Sequence, residues 1–478
     1  MSEASTFQET APSAEVGQRL FRLGAIFVGA LIAYYLVWAK TEDFVNRLQA
    51  LVILFMGALP ALLWAKSEQK RFPLIEVFFL TTVNSYALPL LNGHEDIKLY
   101  SVDTITTSAW IVIVFQAALF VTYQMVGGLP KRGPFWTEEL LTEQACKYLN
   151  YGTVVNTLYL IESIYFDLLP PDINSIVRAI CFGIGIVCTF VTAQLWGLGK
   201  LTPGEKGFFI TNLVIQTIMQ LISLFLVGAL STILLCFLGY VTRKRKIPII
   251  LVGAVLLFTA LLHNGKPQMR EKYWHLDGKN PIPAVSELPA FFSEWIGYGL
   301  NPNEDAEAKA NQTMTSKLIQ RTSLFQMVCL VADNTPRNYP FLDGDTYSDI
   351  IAQFIPRLFW PNKPTGLLST YKLSIYYGLQ SEEGTAQTTI AFGQVAEAYA
   401  NFGFLGVIGL GAFIGIFYKK AQTWAADSPM ISYPGILLVI LMAWSFQNEF
   451  TLSVWLASLY QSCVAIMALL MGLKAFIR

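Results

Sequence analysis

Apolar stretches long enough to cross a lipid bilayer recur from one end of the chain to the other. They run at Leu20–Ala39, Leu48–Ala65, Phe72–Leu91, Thr106–Val126, Leu149–Leu169, Ile173–Leu198 and Ile247–His263, and again at Phe402–Tyr418, Ile431–Phe446 and Leu452–Leu473. A hydrocarbon core about 30 Å thick needs roughly 20 helical residues to span it. Windows of that length separated by short polar turns define an all-α polytopic membrane protein. Only 14% of the residues are charged and 54% are hydrophobic. A soluble domain carries about 25% charged residues, so this chain could not cover its apolar surface with water-compatible side chains.

The block Gly207–Val241 decides the number of crossings, being long for one helix and short for two. Net charge is zero, with 33 basic and 33 acidic residues, but their distribution is informative because cytoplasmic loops carry the excess of Lys and Arg. If the block is a tight hairpin near Gly228, one side receives Arg19, Arg22, Lys66, Lys70, Arg71, Lys131, Arg132, Lys200, Lys206, the run 243–246, Lys419, Lys420, Lys474 and Arg478. The other side receives the acidic turns at Glu42-Asp43 and Glu95-Asp96. A single helix would erase this bias. The sequence therefore predicts about twelve transmembrane helices with both termini cytoplasmic. Residues 1–19 form a polar tail, 20–263 hold helices one to nine, and 264–401 form one large, partly membrane-embedded extracytoplasmic loop with short and re-entrant helices. Residues 402–478 hold the last three helices and a short cytoplasmic tail. No internal repeat is visible, and one integral-membrane domain with an embedded loop is expected.

Several function classes drop out. The six cysteines lie mostly in apolar windows, where they act as small hydrophobes. His94, His263 and His275 are too far apart for metal-ligand spacing, so neither metal nor other cofactor is expected. Phosphate-cradling glycine loops and hydrolase elbows are missing from the sequence. The basic run 243–246 is a membrane-flanking turn, which reads as topology and gives no reason to expect nucleic acid.

The long loop is rich in Trp, Tyr, Phe and Leu, which argues against disorder. Asp305–Met327 reads as helical, a second short helix is expected over Asp349–Trp360, and Gln387–Tyr399 reads as a segment that dips in against other helices. Its charged residues are the candidates for chemistry. Arg357 and Lys363 sit in Ile355-Pro-Arg-Leu-Phe-Trp-Pro-Asn-Lys-Pro364. An arginine fork can grip diphosphate oxygens and a lysine can act as a point charge; an interfacial anchor is the plainer reading. Arg321 can face a lipid phosphate or snorkel from a helix end, and Arg337 reads as a turn residue. Glu397 lies among Ala, Val, Tyr and Phe, where a carboxylate is a general base or the partner of a buried arginine. The acids in the two outer turns can simply be solvated.

Three places carry a resemblance. Arg321 is followed by Pro340-Phe-Leu-Asp-Gly-Asp-Thr-Tyr347, then by the Pro356-Arg357…Trp360-Pro361…Lys363-Pro364 segment, then by Gly393-Gln-Val-Ala-Glu397-Ala-Tyr399-Ala-Asn401-Phe-Gly403. In this order the chain resembles the bacterial oligosaccharide repeat-unit polymerases, the Wzy-type O-antigen polymerase group, over about residues 321–406. The resemblance implies a glycosyltransferase of the bacterial plasma (inner) membrane. It would join polyprenyl-diphosphate-linked oligosaccharide repeat units on the outer face, without nucleotide, for O-antigen, capsule or exopolysaccharide. It implies Arg357 and Glu397 as catalytic groups, with Arg321, Lys363, Trp360, Tyr399 and Asn401 as substrate contacts. The partners implied are the lipid-linked glycan, membrane lipid, and flippase and chain-length regulator proteins. An O-antigen-type ligase with the same donor and a lipid-linked sugar flippase are the alternatives.

Overall fold

Helix is the only regular structure among the described residues, as expected where backbone groups must find partners without water. The computed structural model describes residues 14–67, 72–130, 136, 138–139, 143–166, 168–169, 171–224, 226–244, 249–273, 282–300, 323–355, 359–360, 362–385, 389–426, 428–429 and 432–477. In chain order the helices are α1 (Ala14–Trp38), α2 (Phe44–Lys66), α3 (Leu74–Thr82), α4 (Leu88–Leu91), α5 (Val102–Met125), α6 (Glu143–Ile161), α7 (Pro171–Gly197), α8 (Pro203–Ile222) and α9 (Leu226–Lys244). There follow α10 (Ile249–Tyr273), α11 (Leu288–Leu300), α12 (Phe325–Asn334), α13 (Ile350–Phe354), α14 (Leu368–Tyr376), α15 (Glu382–Thr385), α16 (Gln394–Ala425), α17 (Tyr433–Ser445) and α18 (Leu452–Ile477). Among the described residues, seven helices are long and apolar enough to cross a membrane, which marks a helical membrane protein.

Several boundaries differ from the sequence reading. The block Gly207–Val241 is divided between α8 and α9, with Leu224 in the turn at φ +58°. The helix expected over Asp305–Met327 begins at Phe325; its residues 305–322 lie outside the described set. The helix expected over Asp349–Trp360 ends at Phe354. The separate dipping segment near Gln387–Tyr399 is instead the first part of α16, which starts at Gln394 and continues into the span. A break in helical geometry at Phe402 and Gly403 falls where the span was expected to start.

The chain divides into two compact units, residues 1–138 with 315–460 and residues 139–314 with 461–478. Residues of the long loop belong to both units, 264–314 to the second and 315–401 to the first. In the second unit α6 and α8 are stapled by buried amides and hydroxyls. Asn156 donates to Gln216 at 3.0 Å, Gln216 to Thr157 at 3.1 Å, and Thr157 to Asn212 at 3.1 Å. Such bonds hold helices together where lipid removes the hydrophobic drive. The first part of the loop, α11, packs on α10, where the Trp295 indole donates to the Leu262 carbonyl at 2.7 Å. The polar extension of α10 beyond His263 is fastened to the same helix by Lys272–Glu294 at 2.6 Å.

In the first unit α5 and α16 lie side by side in the same direction. A Cβ added to Gly411 would meet the Phe115 carbonyl at 2.8 Å, and one on Gly415 the Leu119 carbonyl at 2.8 Å. Further along, the Tyr123 hydroxyl bonds Gln422. Glycines four apart let two backbones approach, the small-xxx-small contact of membrane helices. At the start of α5 the Thr104 hydroxyl donates to Asp333 of α12 at 2.8 Å. The acidic turns belong to this end: Asp43 caps α2 by accepting from Asn46 at 2.8 Å, and Glu95 pairs with Lys98 at 3.0 Å. A π-helical turn at Val83–Ala87 turns the Ser85 carbonyl outward to receive the Leu324 N–H at 2.9 Å.

Gly415→Leu is expected to lower the thermal midpoint of the detergent-solubilised protein, at a cost of about 1–3 kcal/mol for overpacking. Gly409→Leu is the control, since nothing lies within 4 Å of a Cβ there. Equal melting of both variants would show that the α5–α16 contact does not depend on Gly415.

Candidate functional site

Glu397 is wholly buried, with 0% of its surface exposed, in the first turn of α16. The backbone N–H of Leu452, first residue of α18, donates to its Oε2 at 2.6 Å. A carboxylate suits that position, because helix N-termini carry unpaired N–H groups and a partial positive charge. The neighbouring Thr451 hydroxyl bonds Ser369 of α14 at 2.8 Å, so α14, α16 and α18 meet here. The second oxygen, Oε1, has no hydrogen-bond partner among the described residues, and neither does the buried Ser453 hydroxyl. The expected salt bridge from Glu397 to Arg321 or Arg357 involves two residues that both lie outside the described set.

Asn401, also 0% exposed, organises the loop over this carboxylate. Its amide nitrogen donates to the Thr346 hydroxyl and to the Glu397 carbonyl, each at 2.8 Å, and its Oδ1 accepts from Gly344 N at 3.0 Å. With its oxygen accepting from Asn401, the Thr346 hydroxyl keeps its proton for the Glu397 carboxylate, its other polar neighbour. The break at Phe402 and Gly403 completes the dock: the Ala400 carbonyl accepts from Leu342 N at 3.0 Å and the Asn401 carbonyl from Asp343 N at 3.2 Å. The loop turns through Asp343 at φ +47° and Gly344 at φ +91°, and a Cβ on Gly344 would press on Phe402 at 3.0 Å, so glycine is required. Burial, then the Glu397 charge, push the Tyr347 phenol up, so it keeps its proton.

The remaining predicted residues take different places. Tyr399 packs between Phe341, centroids 6.3 Å apart, and Phe404 at 5.6 Å. Lys363 is 92% buried by side-chain packing and points inward. Its ammonium donates to the carbonyls of Ile355 at 2.7 Å, Ala352 at 3.3 Å and Gln353 at 3.4 Å. These are the C-terminal carbonyls of α13, which a cation satisfies well. Gripping a phosphate would require giving those bonds up. Trp360 is 42% exposed on the same turn.

Lys372, Asp345, Asp349 and Thr346 were not singled out from the sequence. Lys372 binds Asp345 at 3.0 Å and Asp349 at 3.2 Å, tying α14 to the docked loop. The run Asp343-Gly344-Asp345-Thr346 does signal a turn, but no local pattern reveals that its partners lie 27 residues on at Lys372 and 55 or more on at Asn401.

A family model described as a domain of unknown function, DUF8712, matches residues 202–426. That match extends from the cap of α8 to the end of α16 and so includes Glu397, Asn401 and the docked loop. No curated protein and no solved structure matches the chain.

Two predictions concern the dock. Asn401→Leu leaves Gly344 N–H and the Thr346 hydroxyl without their partner, at about 1–3 kcal/mol for each buried group. Limited proteolysis within 341–349 is expected to become fast while the helices stay protected; unchanged protection would show that the loop is held elsewhere. Burial opposes the Lys372 charge, but its bonds to Asp345 and Asp349 outweigh that and raise its pKa above the ordinary 10.5. Stability from a raised ammonium is present at every pH below the ordinary value and fades as pH climbs through the raised one. Cleavage of the loop is therefore expected to stay flat through neutral pH and rise only in alkali, with Lys372→Met showing the alkaline pattern at neutrality.

Proposed function

We propose that this protein is a membrane glycosyltransferase that polymerises lipid-diphosphate-linked oligosaccharide repeat units at the outer face of a bacterial plasma membrane. The observation that carries this reading is the wholly buried carboxylate of Glu397, roofed by an ordered loop, at one end of the first helical unit. That end also holds the acidic turns, whereas Lys419 and Lys420 lie near the opposite end of α16. Basic residues gather on the cytoplasmic side, which supports an outer position for Glu397, about twelve spans and cytoplasmic termini.

In this reading a sugar hydroxyl of the incoming repeat unit attacks the anomeric carbon of the growing glycan. The bond from that carbon to the lipid diphosphate breaks, and the diphosphate leaves with the electron pair. Glu397 Oε1 receives the hydroxyl proton. Arg357 and Arg321, which the sequence offers as guanidinium forks, stabilise the leaving charge. Lys363 closes the end of α13 through the Ala352, Gln353 and Ile355 carbonyls, a structural role in this reading. Tyr399 and Asn401 shape the pocket wall, and Trp360 is free to stack on sugar or lipid. Against a flippase reading stands the second unit's polar ladder between α6 and α8, which is made of amides and hydroxyls, where pumps and transporters place ionisable groups.

Cells carrying Glu397→Gln or Arg357→Ala, with normal membrane levels of the protein, are expected to display single repeat units in place of long chains. Full-length glycan in both strains would reject the assignment. Movement of lipid-linked sugar between leaflets by purified protein, with no joining, would favour the flippase. Transfer of finished glycan to a non-glycan acceptor would favour the ligase.

A further inference from the structure

An aromatic surface two residues upstream of the docked loop is built more firmly than a membrane anchor requires. The Tyr339 ring, 36% exposed, stands 5.2 Å from Tyr376 and 5.8 Å from Tyr377 between ring centroids. Tyr377 is edge-on to Tyr376 at 5.3 Å and backs onto Phe392 at 6.1 Å. Two of the hydroxyls are turned to protein oxygens. Tyr376 donates to the Pro340 carbonyl at 2.8 Å, and Tyr377 shares a 2.8 Å bond with Thr335. Interfacial tyrosines ordinarily leave the hydroxyl to headgroups and water, and these two do not.

Beside the ring, the turn after α12 presents exposed Arg337 and Asn338. The turn is rigid: Tyr339 N donates to the Asn334 carbonyl at 3.0 Å, and the Asn338 amide nitrogen to Asn334 Oδ1 at 3.1 Å. Asn338 therefore keeps its amide oxygen as an acceptor toward solvent, and Arg337 offers a fork of donors. Among the described residues Arg337 enters no ion pair. An exposed ring held immobile, with donors and an acceptor at its rim, matches the alternating C–H face and hydroxyl rim of a pyranose. Fixing the platform in advance removes the ordering cost that weak glycan contacts could not offset. The surface is continuous with the candidate site, since Phe341, two residues on from Tyr339, packs on Tyr399, two residues from Glu397.

We propose that Tyr339, backed by Tyr376 and flanked by Arg337 and Asn338, binds the sugar rings of the glycan substrate. This rests on the glycosyltransferase reading for its place in the reaction, but its test does not. The probe is a set of oligosaccharide fragments made by mild acid hydrolysis of the producing cell's own surface polysaccharide. Binding to the full-length protein in detergent is read by saturation-transfer NMR and titration calorimetry. Wild type and Tyr339→Phe are expected to bind alike, and Tyr339→Ala about tenfold more weakly, or about 1.4 kcal/mol. Arg337→Ala, an exposed change that leaves the fold alone, is expected to weaken binding several-fold. Equal binding by wild type and Tyr339→Ala, or no binding by wild type, overturns the proposal. Fragment binding by a wild-type protein that lengthens no glycan would sink the polymerase reading and leave the sugar platform standing.

Discussion

Two backbone carbonyls hold the candidate site together. In an unbroken helix the Ala400 and Asn401 carbonyls would turn to the N–H groups four residues on. The departure from helical geometry at Phe402 and Gly403 opens that ladder, and Leu342 and Asp343 take the carbonyls. The loop thus docks by continuing a helix's own hydrogen-bond chemistry. Glycine permits this twice, at Gly403, where φ is +57°, and at Gly344 in the loop opposite. Asn401 then converts the dock into an arrangement of side chains, because one amide reaches Gly344, Thr346 and the Glu397 carbonyl together.

The kink sits above a contact that cannot slide. Eight residues beyond Gly403, α16 reaches Gly411, where the Phe115 backbone leaves no room for a side chain, and Gly415 repeats the fit one turn on. The first unit therefore has a rigid parallel pair, with the Glu397 turn fixed at one end of it. The N-terminus of α18 adds a peptide N–H aimed at the carboxylate. A charge in apolar surroundings is costly unless paired. Here Oε2 is paired with the peptide N–H and the Thr346 hydroxyl faces the carboxylate, and full burial under a docked loop is what sets Glu397 apart.

The helices were legible because hydropathy reports burial in lipid or protein directly. Their ends were less so. The tail of α10 reads as polar and stays helical to Tyr273 because Glu294 of another helix satisfies it, a partner no local window contains. The first turns of α16 read as too polar for a span, yet they are the most enclosed part of it, since Gln394, Glu397 and Asn401 all find loop or helix-end partners or lie against them. Glu397 was recognisable as a charge in an apolar setting, and Asn401 only through the family resemblance. Lys363 was recognisable only as a charge; its task of closing α13 depends on where three carbonyls point. Thr346 and Lys372 gave no sign, since a threonine in a turn and a lysine in a short helix are ordinary until the fold brings Asn401 and Asp345 to them.

The same constraint explains why the polar chemistry of the first unit collects where it does. A lipid-facing helix cannot carry an ionic group mid-span without a partner, so charge must be assembled from what loops bring to helix ends. At those ends unpaired N–H and C=O groups wait for partners, and side chains from loops and from another helix satisfy them: Asp43 at α2, Lys363 at α13 and Glu397 of α16 at α18. Asp43 and Lys363 each satisfy a helix end with a charge. Glu397 satisfies its helix with one oxygen only, and it is the one of the three roofed by a loop docked on a kink. A cap needs no roof, and under the proposed reading the roof is what would keep water from the proton that Glu397 takes.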